Sequence, residues 1–262
     1  MEKIWMQEMK WTEVKNYLQS KDIVLVPIGS TEQHGPAGPL GFDTYIANGI
    51  CESIAKRKNV LISPPMWFGD SGHHMGFSGT ISIKSEVLIE YLKEVIRSLL
   101  QHGFKKIIFV NGHRLANLPA IKIAAKSIKE FENQDAMLAI IDPAHIGSGG
   151  VDFKEADEHH AGEVETSQLL YLYPNLVDKS CLPDSSSKFR EHLSEFSKNC
   201  IFEGGPYIDI IISSRDEINM AGSSLGALSD ASKSSAEKGR QFHEYVVNNC
   251  CKFIDWLENK SR

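Results

Sequence analysis

Two stretches of this chain, Ile23-Val24-Leu25-Val26-Pro27-Ile28 and Ile107-Ile108-Phe109-Val110, are apolar without alternation. A strand with one wet face alternates apolar and polar residues, so continuous runs like these suit strands buried on both faces. Such a sheet needs helices above and below it, and the sequence between the runs supplies them. Apolar spacing predicts a helix over 44–56 through Ile46, Ile50 and Ile54. A clearer one spans 85–102, with apolar positions from Val87 to Leu100 and Gly103 as its stop. Further helices are expected from about 118 to 131, with Pro119 in the first turn, over 162–173, and from about 231 to 257. Shorter strands are expected at 60–63, 137–141 and 207–212. Alternating strands and helices call for right-handed crossovers, hence an α/β fold with a mostly parallel sheet between helical layers. No stretch reads as a linker, so one domain over residues 1–262 is expected.

The first apolar run leads directly into Gly29-Ser30-Thr31-Glu32-Gln33-His34-Gly35-Pro36, and Asp43 follows nine residues after His34. In extended chain, residues two apart share a side, so Glu32 and His34 can face one point. Open α/β sheets keep their ligands at the carboxyl ends of strands, which is where these residues stand. Asn111-Gly112-His113 follows the second run in the same way, so His113 can reach Glu32, His34 and Asp43. Asn111 and Asn117 read as amides that orient those groups or hold the loop. Gly112 permits a sharp exit from the strand.

Two more segments carry polar chemistry. Asp157-Glu158-His159-His160-Ala161-Gly162-Glu163-Val164-Glu165 ends in the first turn of a helix. Acidic residues there also satisfy the helix dipole. Ser71-Gly72-His73-His74-Met75-Gly76-Phe77-Ser78-Gly79-Thr80 is glycine-rich and expected at the rim of the same sheet edge. Ser71 and His74, with Asp157, are the candidate substrate contacts. His102, His145, His192 and His243 read as helix or surface residues.

Composition removes several alternatives. The 262 residues carry a net charge of -6 without a basic cluster, which excludes nucleic acid and anionic membrane as main partners. Apolar residues make up 42%, yet no window approaches the ~20 in a row that span a bilayer. The start, Met1-Glu2-Lys3-Ile4-Trp5, lacks the apolar core of a signal peptide. Five cysteines without a Cys-x-x-Cys pair suit a reducing compartment, so a cytoplasmic protein is expected.

Together the motifs resemble those of the creatininase family, the creatinine amidohydrolases and their relatives. The signature turn stands at Gly29–Pro36 and Pro39-Leu40-Gly41-Phe42-Asp43, and Asn-Gly-His at 111–113. The His-x-Gly-x-x-Glu-Thr-Ser motif runs from His160 to Ser167, and Ala-Glu-Lys-Gly stands at 236–239. The resemblance implies a three-layer α/β/α sandwich, a centre with one or two divalent ions, and a homo-oligomer, commonly a hexamer. It makes Glu32, His34, Asp43 and His113 metal ligands, with Asp43 able to bridge, His160 a catalytic histidine and Glu165 an acidic site residue. Creatininase proper has a glutamate two residues after its Asn-Gly-His histidine, where this chain has Leu115. A second ion would then be absent, weaker, or held otherwise, for instance by Glu165. Ala156 replaces the family's tryptophan, and Ala37 its histidine after Gly-Pro, which argues against creatinine as substrate.

Histidine and carboxylate ligands suit Zn²⁺, Mn²⁺ or Fe²⁺, ions that supply activated water at neutral pH. The expected reaction is hydrolysis of a non-peptide carbon–nitrogen bond in a small molecule, a cyclic amide or a formamide, with His160 moving the proton. Hydrolytic ring opening of a cyclic ketone or polyol-derived carbonyl is the alternative. A non-catalytic metal- or metabolite-binding relative is a third reading. A metalloprotease fits least, since no His-Glu-x-x-His helix occurs.

Overall fold

In the computed structural model, described for residues 3–148, 150, 160–182, 215–216, 226–227 and 229–260, the two apolar runs become neighbouring strands. β1 (Ile23–Ile28) and β3 (Lys106–Asn111) pair in parallel, from Ile23 opposite Lys106 to Ile28 opposite Asn111. β2 (Leu61–Ile62) flanks β1 and β4 (Met137–Ile141) flanks β3, giving the order β2-β1-β3-β4, parallel throughout. The described helices of more than one turn are α1 (Trp11–Tyr17), α2 (Phe42–Lys58), α3 (Ser85–Gln101), α4 (Arg114–Phe131), α5 (Pro143–Gly147), α6 (Glu163–Leu172) and α7 (Ala236–Lys260).

The lack of alternation in β1 and β3 has a direct cause in the packing. Ile23 and Leu25 of β1, with Ile108 and Val110 of β3, pack among residues of α2, α6 and α7. Val24, Val26 and Ile28, with Ile107 and Phe109, pack on the other face against α3 and α4. Each strand therefore feeds two cores, and each fully buried Ile, Leu or Val contributes about 1.5–3 kcal/mol. The result is the expected α/β/α layering. Among the described residues no helix is long and apolar enough to cross a membrane.

Some boundaries differ from expectation. α4 begins at Arg114, so Pro119 lies inside the helix and not in its first turn. A proline at that depth lacks its N–H and crowds the carbonyl four residues earlier, yet the helix runs through it to Phe131. Asp142-Pro143, expected to stop β4, also starts α5: the Asp142 side chain accepts the His145 N–H at 3.2 Å. α7 starts at Ala236, later than expected. The expected strand at 207–212 lies outside the described residues.

The strand order fixes where a site can form. The chain leaves β1 towards β2 on one side and leaves β3 towards β4 on the other. The connections part company between the carboxyl ends of β1 and β3, opening a crevice there.

Candidate metal centre

Glu32 and His34 follow β1, Asp43 sits in the first turn of α2, and His113 closes β3. Both strands end in glycine where α2 arrives. A Cβ at Gly29 would lie 2.4 Å from the Thr44 nitrogen, and one at Gly112 would lie 2.1 Å from the Asp43 carbonyl oxygen. Close approach, not an unusual backbone angle, is what Gly112 provides. It lets Asp43 stand between the two strand ends.

There the carboxylate of Asp43 faces both imidazoles. Oδ1 is 3.0 Å from His34 Nε2, and Oδ2 is 3.0 Å from His113 Nδ1. Ser30 Oγ donates to Oδ2 at 2.7 Å. Glu32 is fully buried, and neither of its side-chain oxygens has a hydrogen-bond partner. Its Oε2 is 3.3 Å from His113 Nε2, while Oε1 is 3.5 Å from His74 Nε2 and 3.7 Å from His160 Nδ1.

Three of these rings also donate to backbone carbonyls. His113 Nε2 donates to the Asp70 carbonyl at 2.8 Å, and His34 Nδ1 to the Glu32 carbonyl at 3.3 Å. His160 Nε2 donates to the Gln33 carbonyl at 2.7 Å. The two protons of the Gln33 amide are taken by His74 Nδ1 at 2.8 Å and the Gly226 carbonyl at 3.1 Å. His34 Nε2 and His113 Nδ1 face Asp43, while His160 Nδ1 and the N–H-bearing Nε2 of His74 face Glu32 Oε1. Lone pairs aimed at carboxylates in a dry pocket are unfavourable unless a cation or a shared proton lies between them.

The titration behaviour follows. Burial pushes the Glu32 carboxyl up to about 7, Asp43 adding to the rise while His113 and His34 pull it back. Burial also opposes ionisation of Asp43, yet His34 and His113 hold it well below the usual range. Burial works against charge on His34 and His113, but the facing carboxylates outweigh it and carry them to about 9 and about 10. His160 goes the other way, held well below its ordinary value by burial and by the His34 charge.

Two sets of donor atoms lie within 4.8 Å of one another: Glu32, His34 and His160, and Glu32, His73 and His113. An orphaned buried carboxylate ringed by imidazole nitrogens and by Asp43 fits a divalent cation of borderline softness.

The expected residues are largely brought together here. His74, expected at a solvent rim, is instead buried inside the cluster; Ser71 is fully buried too, with Oγ unpaired. Glu165, expected as a possible ligand, stands outside both donor sets. Ala161 adopts a left-handed φ of 55° and turns its N–H onto Glu165 Oε2 at 2.8 Å. Asp157 lies outside the described residues. Asn117 holds the loop as expected, accepting the Asp70 N–H at 3.1 Å and donating to the Gly29 carbonyl at 2.9 Å. Asn111 donates to the Arg114 carbonyl at 3.0 Å. Gln33 and His73 join the cluster without having been expected there. Strand alternation would turn Gln33 away from Glu32 and His34, but the chain has left the sheet by then and carries all three inward.

Comparison with known proteins places the chain in a family. The family model described as creatinine amidohydrolase matches residues 7–254. The chain belongs to the creatininase family. Within that family it is 33% identical over 192 residues to the 3-dehydro-scyllo-inosose hydrolase of Thermotoga maritima, a match covering 71% of this chain and 61% of that protein. It is 32% identical to the mycofactocin precursor peptide peptidase of Mycobacterium ulcerans, over 87% and 82% of the two chains. A creatininase mutant solved in a Zn-Zn form superposes with a TM-score of 0.74 at 25% identity, over 96% of each chain. The named relatives of this creatininase-family chain are hydrolases, and the chain spans 61% of the length of the first of them.

Proposed function

We propose that this chain is a metal-dependent hydrolase that cleaves a non-peptide carbon–nitrogen bond, in a cyclic amide or a formamide. The observation that carries the reading is Glu32, fully buried with two side-chain oxygens that make no hydrogen bond, ringed by imidazole nitrogens and by Asp43. Glu32, His34, Asp43 and His113 would hold a divalent cation, zinc, manganese or iron, with room for one ion or two. Glu165 supports the site by fixing the turn that carries His160. When bound, the cation supplies activated water at neutral pH and polarises the carbonyl under attack.

The protein's own groups do the rest. His160 is neutral at neutral pH, and its bond to the Gln33 carbonyl leaves Nδ1 facing the cluster. That nitrogen accepts a proton from the attacking water and returns it to the departing nitrogen as the carbon–nitrogen bond breaks. Gln33 holds both His74 and the His160 turn in place, while Ser71 and His74, with Asp157, are proposed to contact the substrate. Burial of the whole group keeps bulk water out and strengthens each of these interactions.

The relative named as a 3-dehydro-scyllo-inosose hydrolase favours a second reading, ring opening of a polyol-derived ketone by the same groups. The peptidase relative adds short peptides to the compounds worth testing. Purified enzyme should be offered creatinine, lactams, formamides, cyclic polyol ketones and short peptides. Turnover confined to lactams or formamides supports the first reading. Turnover confined to the ketones replaces it with the second, and none with any of them supports a non-catalytic binding protein. The proposal extends to organisation: one domain over 1–262, in the cytoplasm, in a homo-oligomer that the resemblance makes a hexamer. Sedimentation of the purified protein tests the last point.

A further inference from the structure

We propose that His73 is a ligand of the metal centre, completing with Glu32 and His113 a cation position. The inference rests on the metal reading above and goes beyond the residues that reading names.

His73 lies on the single turn Gly72–His74, next to His74. His74 approaches Oε1, at 3.5 Å, whereas the donor atom of His73 groups with those of Glu32 and His113, all within 4.8 Å of one another. The His73 ring lies nearly parallel to that of His113, at 6° between planes and 6.1 Å between centroids. Among the described residues no hydrogen bond holds the His73 imidazole, although the ring is half-buried. A free imidazole beside a fully buried, unpaired carboxylate oxygen is an arrangement that a cation resolves.

The second independent observation is that carboxylate itself. Glu32 is a member of both donor groupings, beside His34 and His160 in one and beside His73 and His113 in the other, and neither of its oxygens has a hydrogen-bond partner. Glu165, the other candidate for extra ligation, is occupied with the Ala161 N–H. An additional imidazole also sets preference, favouring ions such as Co²⁺ and Zn²⁺ over Mg²⁺.

The test uses metal-stripped full-length protein titrated with Co²⁺, read by calorimetry and by visible absorption. Since loss of a group that merely orients a ligand weakens metal binding by ~10–100-fold, His73→Ala should weaken cobalt by at least about tenfold or remove one equivalent. His73→Cys should restore binding and add a thiolate-to-cobalt charge-transfer band, which appears only if the side chain at 73 touches the ion. His73 is partly exposed and its ring makes no hydrogen bond among the described residues, so both variants should fold, as circular dichroism would verify. Cobalt stoichiometry and affinity unchanged in His73→Ala, with no such band in His73→Cys, would overturn the assignment. If Glu32→Gln loses cobalt while both His73 variants behave as wild type, only His73 is wrongly assigned. If wild-type protein itself binds no cobalt, the underlying metal reading falls.

Discussion

Glu32 Oε2 and His113 Nε2 stand 3.3 Å apart, although one residue follows β1 and the other follows β3. The parallel pairing of those strands, with Ile28 opposite Asn111, is what converts two distant loops into neighbours. The site is thus a product of sheet register, and its chemistry can be tested one residue at a time.

His160 should be separable from metal binding. Replacing it with alanine removes the group that moves the proton and should lower kcat by ~100-fold or more. Metal content should remain near wild type, because Glu32, Asp43, His34 and His113 are all still present. Turnover paired with metal analysis of the same sample checks this.

Asn117 should matter to stability as much as to activity. Its buried amide joins the Asp70 N–H to the Gly29 carbonyl, and the Asp70 carbonyl in turn orients His113. Asn117→Ala leaves two polar backbone groups unpaired, at about 1–3 kcal/mol each, so urea unfolding should show a loss of roughly 2–6 kcal/mol. Loss below about 0.5 kcal/mol, the level of an ordinary surface change, would contradict this role.

Gly112→Ala tests the close approach of α2 to the end of β3. The new methyl would meet the Asp43 carbonyl, so the first turn of α2 must move and carry Asp43 with it. Overpacking of this kind costs about 1–3 kcal/mol, and the variant should also bind metal more weakly. Unchanged melting temperature and metal affinity would show that the contact is loose.

A pH effect is expected far from the site. His243, buried on α7, bonds Ser53 Oγ at 2.8 Å, and burial lowers its pKa to about 4, with Glu244 opposing and Arg57 adding to the fall. The unfolded chain binds this proton near pH 6.5 and the folded one only near 4. Stability from this group is therefore full above about 6.5 and is lost as pH falls towards 4, on the order of 3 kcal/mol in all. A His243→Gln variant should show a flatter decline across that window in denaturant titrations.

Much of this is legible in the order of residues alone. Continuous apolar runs are readable because burial on both faces leaves no other pattern, and the residues directly after them inherit the strand ends. Gln33 is not legible in that way, since its inward direction depends on where the chain abandons extended geometry. His73 is hidden for a related reason. Two adjacent histidines give no sign of which faces the core, and the turn at Gly72–His74 buries His74 while grouping His73 with Glu32 and His113. Pro119 misleads because proline marks a first turn by preference, while here the helix runs through it to Phe131.

The most direct measurement is the divalent metal content of freshly purified wild-type protein beside Glu32→Gln, a change that keeps the shape and removes the charge. Wild type should carry one or two equivalents of zinc, manganese or iron per chain, and Glu32→Gln should lose most of it while remaining folded. Metal-free wild type, or a variant that keeps its full complement, would contradict the centre described here.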